Sequence, residues 1–208
     1  MITKLKKLKV RDLKSDVETI FLSKMAIDKA KKFAEARVND NVDLYKKRGG
    51  FKKIDLVAGA LAELAVYKLL KLNGIPVGKP DFTIHNVGKK SFNADLTDGY
   101  YNFHVKGQTL ESKSLYGASW IMQRTDPIIN SPELLHYMVP CTVCTETGRV
   151  EIYGIMSMTT LVQNGCIGEC KNEWFKKTKV ALYLDHIEGV LTRNARWGFL
   201  SRCIKGKK

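Results

Sequence analysis

From Tyr101 to Gln108 apolar and polar residues alternate strictly: Tyr101, Phe103 and Val105 against Asn102, His104, Lys106 and Gln108. That period of two predicts a strand with one buried face, and it gathers His104, Lys106 and Gln108 on the other face. The turn signal Thr97-Asp98-Gly99 lies just upstream, after a short strand-like run, Phe92 to Leu96, so the two segments predict a hairpin. Earlier the period is helical. Ser15 and Glu18 have capping-box spacing, and Val17, Phe21, Met25, Ala30 and Phe33 supply an apolar face, predicting a first helix that ends near Arg37. A second helix is predicted over Leu56 to Leu72, with Asp55 as N-cap and Asn73-Gly74 as its stop. It is apolar around most of its circumference, which predicts burial, yet Glu63 sits within the stripe of Leu56, Ala60, Tyr67 and Leu70. Further strands are predicted at 81–85, 118–123, 136–145, 149–156 and 180–185, the third and fourth joined as a hairpin by Glu146-Thr147-Gly148, and a short helix over Thr159 to Asn164. Two helices followed by a strand meander predict an α/β fold with a central mixed sheet flanked by helices. With no repeat or linker, residues 1–208 read as a single domain: a basic arm at 1–14, a core at 54–125 and a basic tail at 203–208.

Composition narrows the class. A chain of 208 residues with 44% hydrophobic residues can bury a substantial core and is not built like a disordered protein. No apolar run nears the ~20 residues of a membrane span, and the basic start lacks the apolar stretch of a secretory signal. The formal charge of +14 favours a polyanionic partner. Lys46, Lys47, Arg48, Lys52 and Lys53 surround Gly49-Gly50 with Tyr45 and Phe51 alongside, a composition suited to a loop that grips phosphates. Five cysteines, an odd number, suit a reducing compartment, with the cytoplasm as the default.

The candidate chemistry sits on the hairpin. Asp95, His104 and Lys106 place a carboxylate, an imidazole and an ammonium at one end of a sheet, and a solvated edge strand seldom gathers these three types. Glu63 joins them as an inward carboxylate, because a buried charge needs a partner such as a metal ion or the Lys106 ammonium. This set resembles the PD-(D/E)xK phosphodiesterase superfamily, the restriction-endonuclease-like fold. Its core presents a helix with an inward Glu, a hairpin bearing Asp, and an acid-x-Lys on the next strand, positions held here by Glu63, Asp95 and His104-Val105-Lys106. The resemblance spans roughly residues 54 to 125 and departs at His104, which stands where the family has an acid.

That resemblance implies a divalent-metal-dependent endonuclease hydrolysing DNA, single- or double-stranded. Mg²⁺ or Mn²⁺ would be held by Glu63, Asp95, His104 and the carbonyl of Val105, with nitrogen ligation favouring Mn²⁺. Lys106 would orient water or stabilise phosphoryl charge, and Gln108, on the same face, would position water or the scissile phosphate. Gln123 and Trp120 on the following strand are candidate substrate contacts, and for Trp120 a core position is an equal alternative. Asp81, after Pro80, is held in reserve for Asp95. The competing class is a non-catalytic nucleic-acid-binding protein that keeps the fold, and a third reading is a nuclease for RNA or branched DNA. Cys141-Thr-Val-Cys144 and Cys166-Ile-Gly-Glu-Cys170 offer a structural Zn²⁺ site, against which stands the strand spacing that turns Cys141 and Cys144 to opposite faces. A homodimer is open, since double-strand cleavage often uses two copies, but the chain shows no dimer seam. His85, His136 and His186 read as scattered, satisfied histidines.

Overall fold

The computed structural model describes residues 16–40, 53–83, 94–132 and 135–205. Lys46, Lys47, Arg48, Lys52, His85, Phe92, Asn93, Ser15 and the whole 1–14 arm lie outside these residues, as do 206–208 and the side chains of the rest of the 203–208 tail. A mixed sheet of six strands is flanked by helices, and a second sheet of three strands packs on its other face. The strands of the large sheet are β1 (Glu18–Phe21), β2 (Leu96–Thr97), β3 (Asn102–Thr109), β5 (His136–Cys144), β6 (Arg149–Ile152) and β7 (Met156–Ser157). Their order is β1-β6-β5-β3-β2, with β7 also pairing β5. β3 and β5 run parallel, Asn102 opposite His136, and the other pairs are antiparallel. The small sheet is β4 (Ser119–Gln123), β9 (Lys179–Tyr183) and β8 (Ile167–Glu169), in that order.

The second helix begins before the predicted Asp55 cap. Here α1 is Lys24–Asp40 and α2 is Lys53–Leu72, so Asp55 lies in the first turn of α2. The predicted stop holds. Gly74 takes φ 75°, its N–H donates to the Lys71 carbonyl at 3.0 Å, and the Ile75 N–H donates to the Leu70 carbonyl at 2.9 Å. This is a Schellman cap, closed by the buried Ile75 side chain. The predicted start of the first helix does not hold: Glu18 to Phe21 form β1, with Ile20 buried opposite Val150. β-branched and aromatic residues there find a sheet edge to pair with, and Ser23 caps α1 instead, its carbonyl and hydroxyl accepting from the Ala26 N–H.

Alanines let α2 lie close to β3. Ala58 and Ala62, one turn apart, face Gly107, and a Cβ there would meet the Ala58 carbonyl oxygen at 2.7 Å and the Ala62 Cβ at 3.1 Å. Phe103 and Val105 share this face and join Leu61, Val66, Val139 and Ile152 in the first core. The opposite face carries His104, Lys106 and Gln108 on β3 and Met138 on β5. Met138 belongs to the second core, with Trp120, Tyr153, Met156 and Leu182. Trp120 is thus a core residue, and its indole N–H donates to the Cys141 carbonyl at 2.8 Å.

The predicted hairpin over β5 and β6 forms, and the predicted strand to Met156 divides into β6 and β7. Asp81 to Thr83 carry no strand. Short helices not predicted from the sequence are α3 (Leu110–Tyr116), α4 (Pro127–Asn130), α6 (Glu173–Lys176), α7 (Leu184–Val190) and α8 (Arg193–Lys205), while α5 (Met158–Gln163) matches its prediction. No described helix is long and apolar enough to cross a membrane.

Candidate functional site

β2 pairs with β3 only through Leu96 opposite Phe103 and Thr97 opposite Asn102. Just before this ladder, the Asp95 N–H donates to the Phe103 carbonyl at 3.1 Å, and its Oδ2 accepts the Val105 N–H at 2.7 Å. The carboxylate therefore continues the hydrogen bonding that β2 has stopped supplying. In a strand the N–H and C=O of one residue leave on the same side, so the Val105 carbonyl emerges at the edge where Asp95 sits.

Glu63 approaches this edge from the helical layer. Burial and the neighbouring Asp95 charge push its carboxyl up to about 8, Arg37 and Lys106 pull it down, and Asp81 raises it further. Asp95 is also raised, chiefly by burial, against the opposing pull of Lys106 and the Val105 N–H, with Asp126 adding to the rise. Glu63, Asp95 and Lys106, predicted from the sequence as one site, thus stand within reach of each other's fields. Four acids, Glu63, Asp81, Asp95 and Asp126, act here beside two cations, Arg37 and Lys106, and the Glu63 carboxyl, raised to about 8, keeps its proton at neutral pH. Two carboxylates and a peptide carbonyl are hard oxygen donors, a set that fits Mg²⁺ or Mn²⁺ completed by water or phosphate. Among the described residues no three His, Cys, Asp or Glu side chains gather to hold an ion by themselves.

The sequence alone does not single out Arg37 or Asp126, reads His136 as a scattered histidine, and offers Asp81 only in reserve for Asp95. Phe82 packs on Phe33 of α1 with ring centroids 4.9 Å apart, which anchors the segment carrying Asp81. Asp126 caps α4, accepting the Ile128 N–H at 3.2 Å with Pro127 at the first helical position. That Asp-Pro start is legible in the sequence; its approach to Asp95 is not.

His104 is 4% exposed, and its Nε2 lies 2.8 Å from Nδ1 of His136, the rings stacked at 17°. His136 is therefore not an isolated histidine. The Asn102 amide nitrogen lies 3.5 Å from His136 Nε2, so both ring nitrogens of His136 are engaged, and the tautomer decides which ring donates in the His104–His136 bond. The bond to His136 engages Nε2 of His104, which leaves Nδ1 as the ring nitrogen open to any other partner. Burial, His136 and Lys106 lower its pKa to about 4, so it stays neutral through the range where an ordinary histidine titrates.

Gln108 is placed differently from its predicted role. Its amide nitrogen donates to the Gly117 carbonyl at 2.9 Å and its oxygen accepts the Ser119 N–H at 3.0 Å, so both ends hold the start of β4. Gln123 lies at the far end of β4, opposite Lys179. Lys53 is paired with Glu35 at 2.9 Å on the surface. Among the described residues the cysteines do not converge: Cys141 lies in the first core, Cys166 in the second and Cys170 beside Ala181 and Tyr183. Comparison with protein-family models, with curated proteins and with solved structures returns no match for this chain.

Proposed function

We propose that this protein is a divalent-metal-dependent DNA endonuclease with a PD-(D/E)xK-type site at the open edge of β3. The observation that carries the reading is the meeting of Glu63, Asp95 and Lys106 from three separate segments, with both carboxyls raised by burial and further by neighbouring acids. Glu63, Asp95 and the Val105 carbonyl would hold Mg²⁺ or Mn²⁺, which supplies an activated water and neutralises charge on the phosphate. Lys106 orients that water and faces the negative charge growing on the phosphoryl oxygens. The Val105 N–H fixes the Asp95 carboxylate, so one of its oxygens remains for a ligand. His104 shapes the floor beside Lys106 as a neutral ring locked by His136. Gln108 acts by positioning, through its hold on β4.

A non-catalytic nucleic-acid-binding role is the second reading, favoured by the absence of a three-side-chain metal set among the described residues. One experiment separates the two. Supercoiled plasmid incubated with wild type and Mg²⁺ or Mn²⁺ is expected to be nicked, with no nicking in EDTA or by Lys106→Ala. Wild type that binds DNA and cuts nothing with either ion overturns the enzyme reading and leaves the second.

A further inference from the structure

The second sheet carries a feature that the candidate site does not use. Of the three tryptophans, Trp120 and Trp197 are each 2% exposed, whereas Trp174, in α6 between β8 and β9, is 90% exposed. The turn beneath it is firmly tied. Asn172 Oδ1 accepts the Trp174 N–H at 3.0 Å, the Thr178 N–H donates to the Phe175 carbonyl at 3.0 Å, and Arg124 Nη2 donates to the Lys176 carbonyl at 2.7 Å. A single exposed apolar residue is ordinary on a protein surface. An indole this exposed on a tied turn beside several cations is less so: residues 171–179 contain Lys171, Lys176, Lys177 and Lys179 against one acid, Glu173. Glu173 pairs with Lys176 and Asp185 with Lys171, and Lys177 forms no ion pair among the described residues.

Placement adds to the chemistry. Arg124, which ties this turn, directly follows β4, and the Arg124 N–H donates to the Thr178 carbonyl at 3.0 Å. Two residues on, the Asp126 N–H donates to the Gln123 carbonyl at 3.0 Å, and the Asp126 carboxylate acts on Asp95. The Trp174 turn thus belongs to the end of the small sheet that borders the acid cluster. An exposed ring face complements an unpaired base, and the ammonium groups of the same turn, the unpaired Lys177 among them, complement the flanking phosphates. Phe175 beside it is 37% exposed, but two apolar residues in a lysine-rich turn fall short of the contiguous apolar patch a protein partner would want.

We propose that Trp174 is a stacking platform for an unpaired base, so that the DNA engaged beside the candidate site is single-stranded or locally opened. The nature of the polymer rests on the nuclease reading, but the platform is tested by binding alone. In EDTA, wild type is titrated with an oligothymidylate and with a blunt duplex of the same length, following tryptophan emission and affinity. With the other two tryptophans buried, quenching reports on Trp174. The oligothymidylate is expected to quench emission and the duplex to leave it nearly unchanged. Trp174→Ala should weaken oligothymidylate binding about tenfold, and Trp174→Phe, which keeps a ring face, should retain most of the affinity. Neither change should alter duplex binding. Undiminished oligothymidylate binding by Trp174→Ala overturns the platform, as does an equal loss for duplex and single strand. A blue shift of Trp174 emission with protein concentration alone would also overturn it, since a second copy would then cover the ring. Quenching without any metal-dependent cleavage would keep the platform and remove the nuclease reading.

Discussion

Replacing Glu63 by glutamine keeps the shape of the side chain and removes its ability to ionise. In the folded protein the Glu63 carboxyl is pushed from 4.5 up to about 8, so the folded state holds this proton more tightly than the unfolded chain does. The stability linked to that proton is complete below about pH 4.5 and is lost as pH rises, at roughly 1–1.5 kcal/mol per pH unit, until the folded carboxyl has ionised near pH 8. Across the whole window the loss is on the order of 5 kcal/mol, an upper figure because the site relaxes and admits water around the charge. Glu63→Gln has no such slope. In urea unfolding with EDTA the variant should match wild type near pH 5 and exceed it by about 2–3 kcal/mol at pH 8. Adding Mn²⁺ should stabilise wild type at pH 8, because an ion bound to the ionised carboxylate stabilises only the folded state. It should leave most of the variant's stability unchanged, and plasmid nicking by the variant should be largely lost. A stability gap that does not widen between pH 5 and 8, or full cleavage by Glu63→Gln, refutes the reasoning, and the site must then be rebuilt around Asp81, Asp95 and Asp126.

With Nε2 of His104 occupied by His136, His104→Ala should lower cleavage without altering the Mg²⁺/Mn²⁺ activity ratio, whereas His104→Glu adds a carboxylate and should shift that ratio toward Mg²⁺; a changed ratio in the alanine variant would show that the imidazole is a ligand after all. Because His104 remains neutral down to about 4, a pH–rate profile should show no fall attributable to it near pH 6.5. Gly107→Ala should cost about 1–3 kcal/mol in thermal or urea unfolding, since a methyl there meets helix backbone that cannot step aside. Gln108→Ala should lower stability by about 1–2 kcal/mol while a refolded sample keeps the Mg²⁺/Mn²⁺ ratio of wild type; loss of activity at undiminished stability would return Gln108 to a direct role.

Local periodicity determined much of this protein. The buried helix of α2 with its Asn73-Gly74 stop, the alternation along β3 and the β5–β6 hairpin all follow from contacts between residues close in the chain, where side-chain period and turn chemistry act directly. For the same reason Glu63, Asp95 and Lys106 could be picked out together: each sits at a position whose neighbours dictate burial or a strand face. Only tertiary structure decided the rest. Residues Glu18 to Phe21 form a strand because Val150 and its neighbours offer a sheet edge more than a hundred residues away. β4 leaves the large sheet for the small one, and Gln108 is drawn off to hold it. The parallel register of β3 with β5 sets His136 against His104, and the packing of α1, Phe82 and α4 brings Arg37, Asp81 and Asp126 around the two central acids. Pairing across a parallel crossover leaves no local trace, because its register is set by the sum of contacts in both cores rather than by any short run of residues.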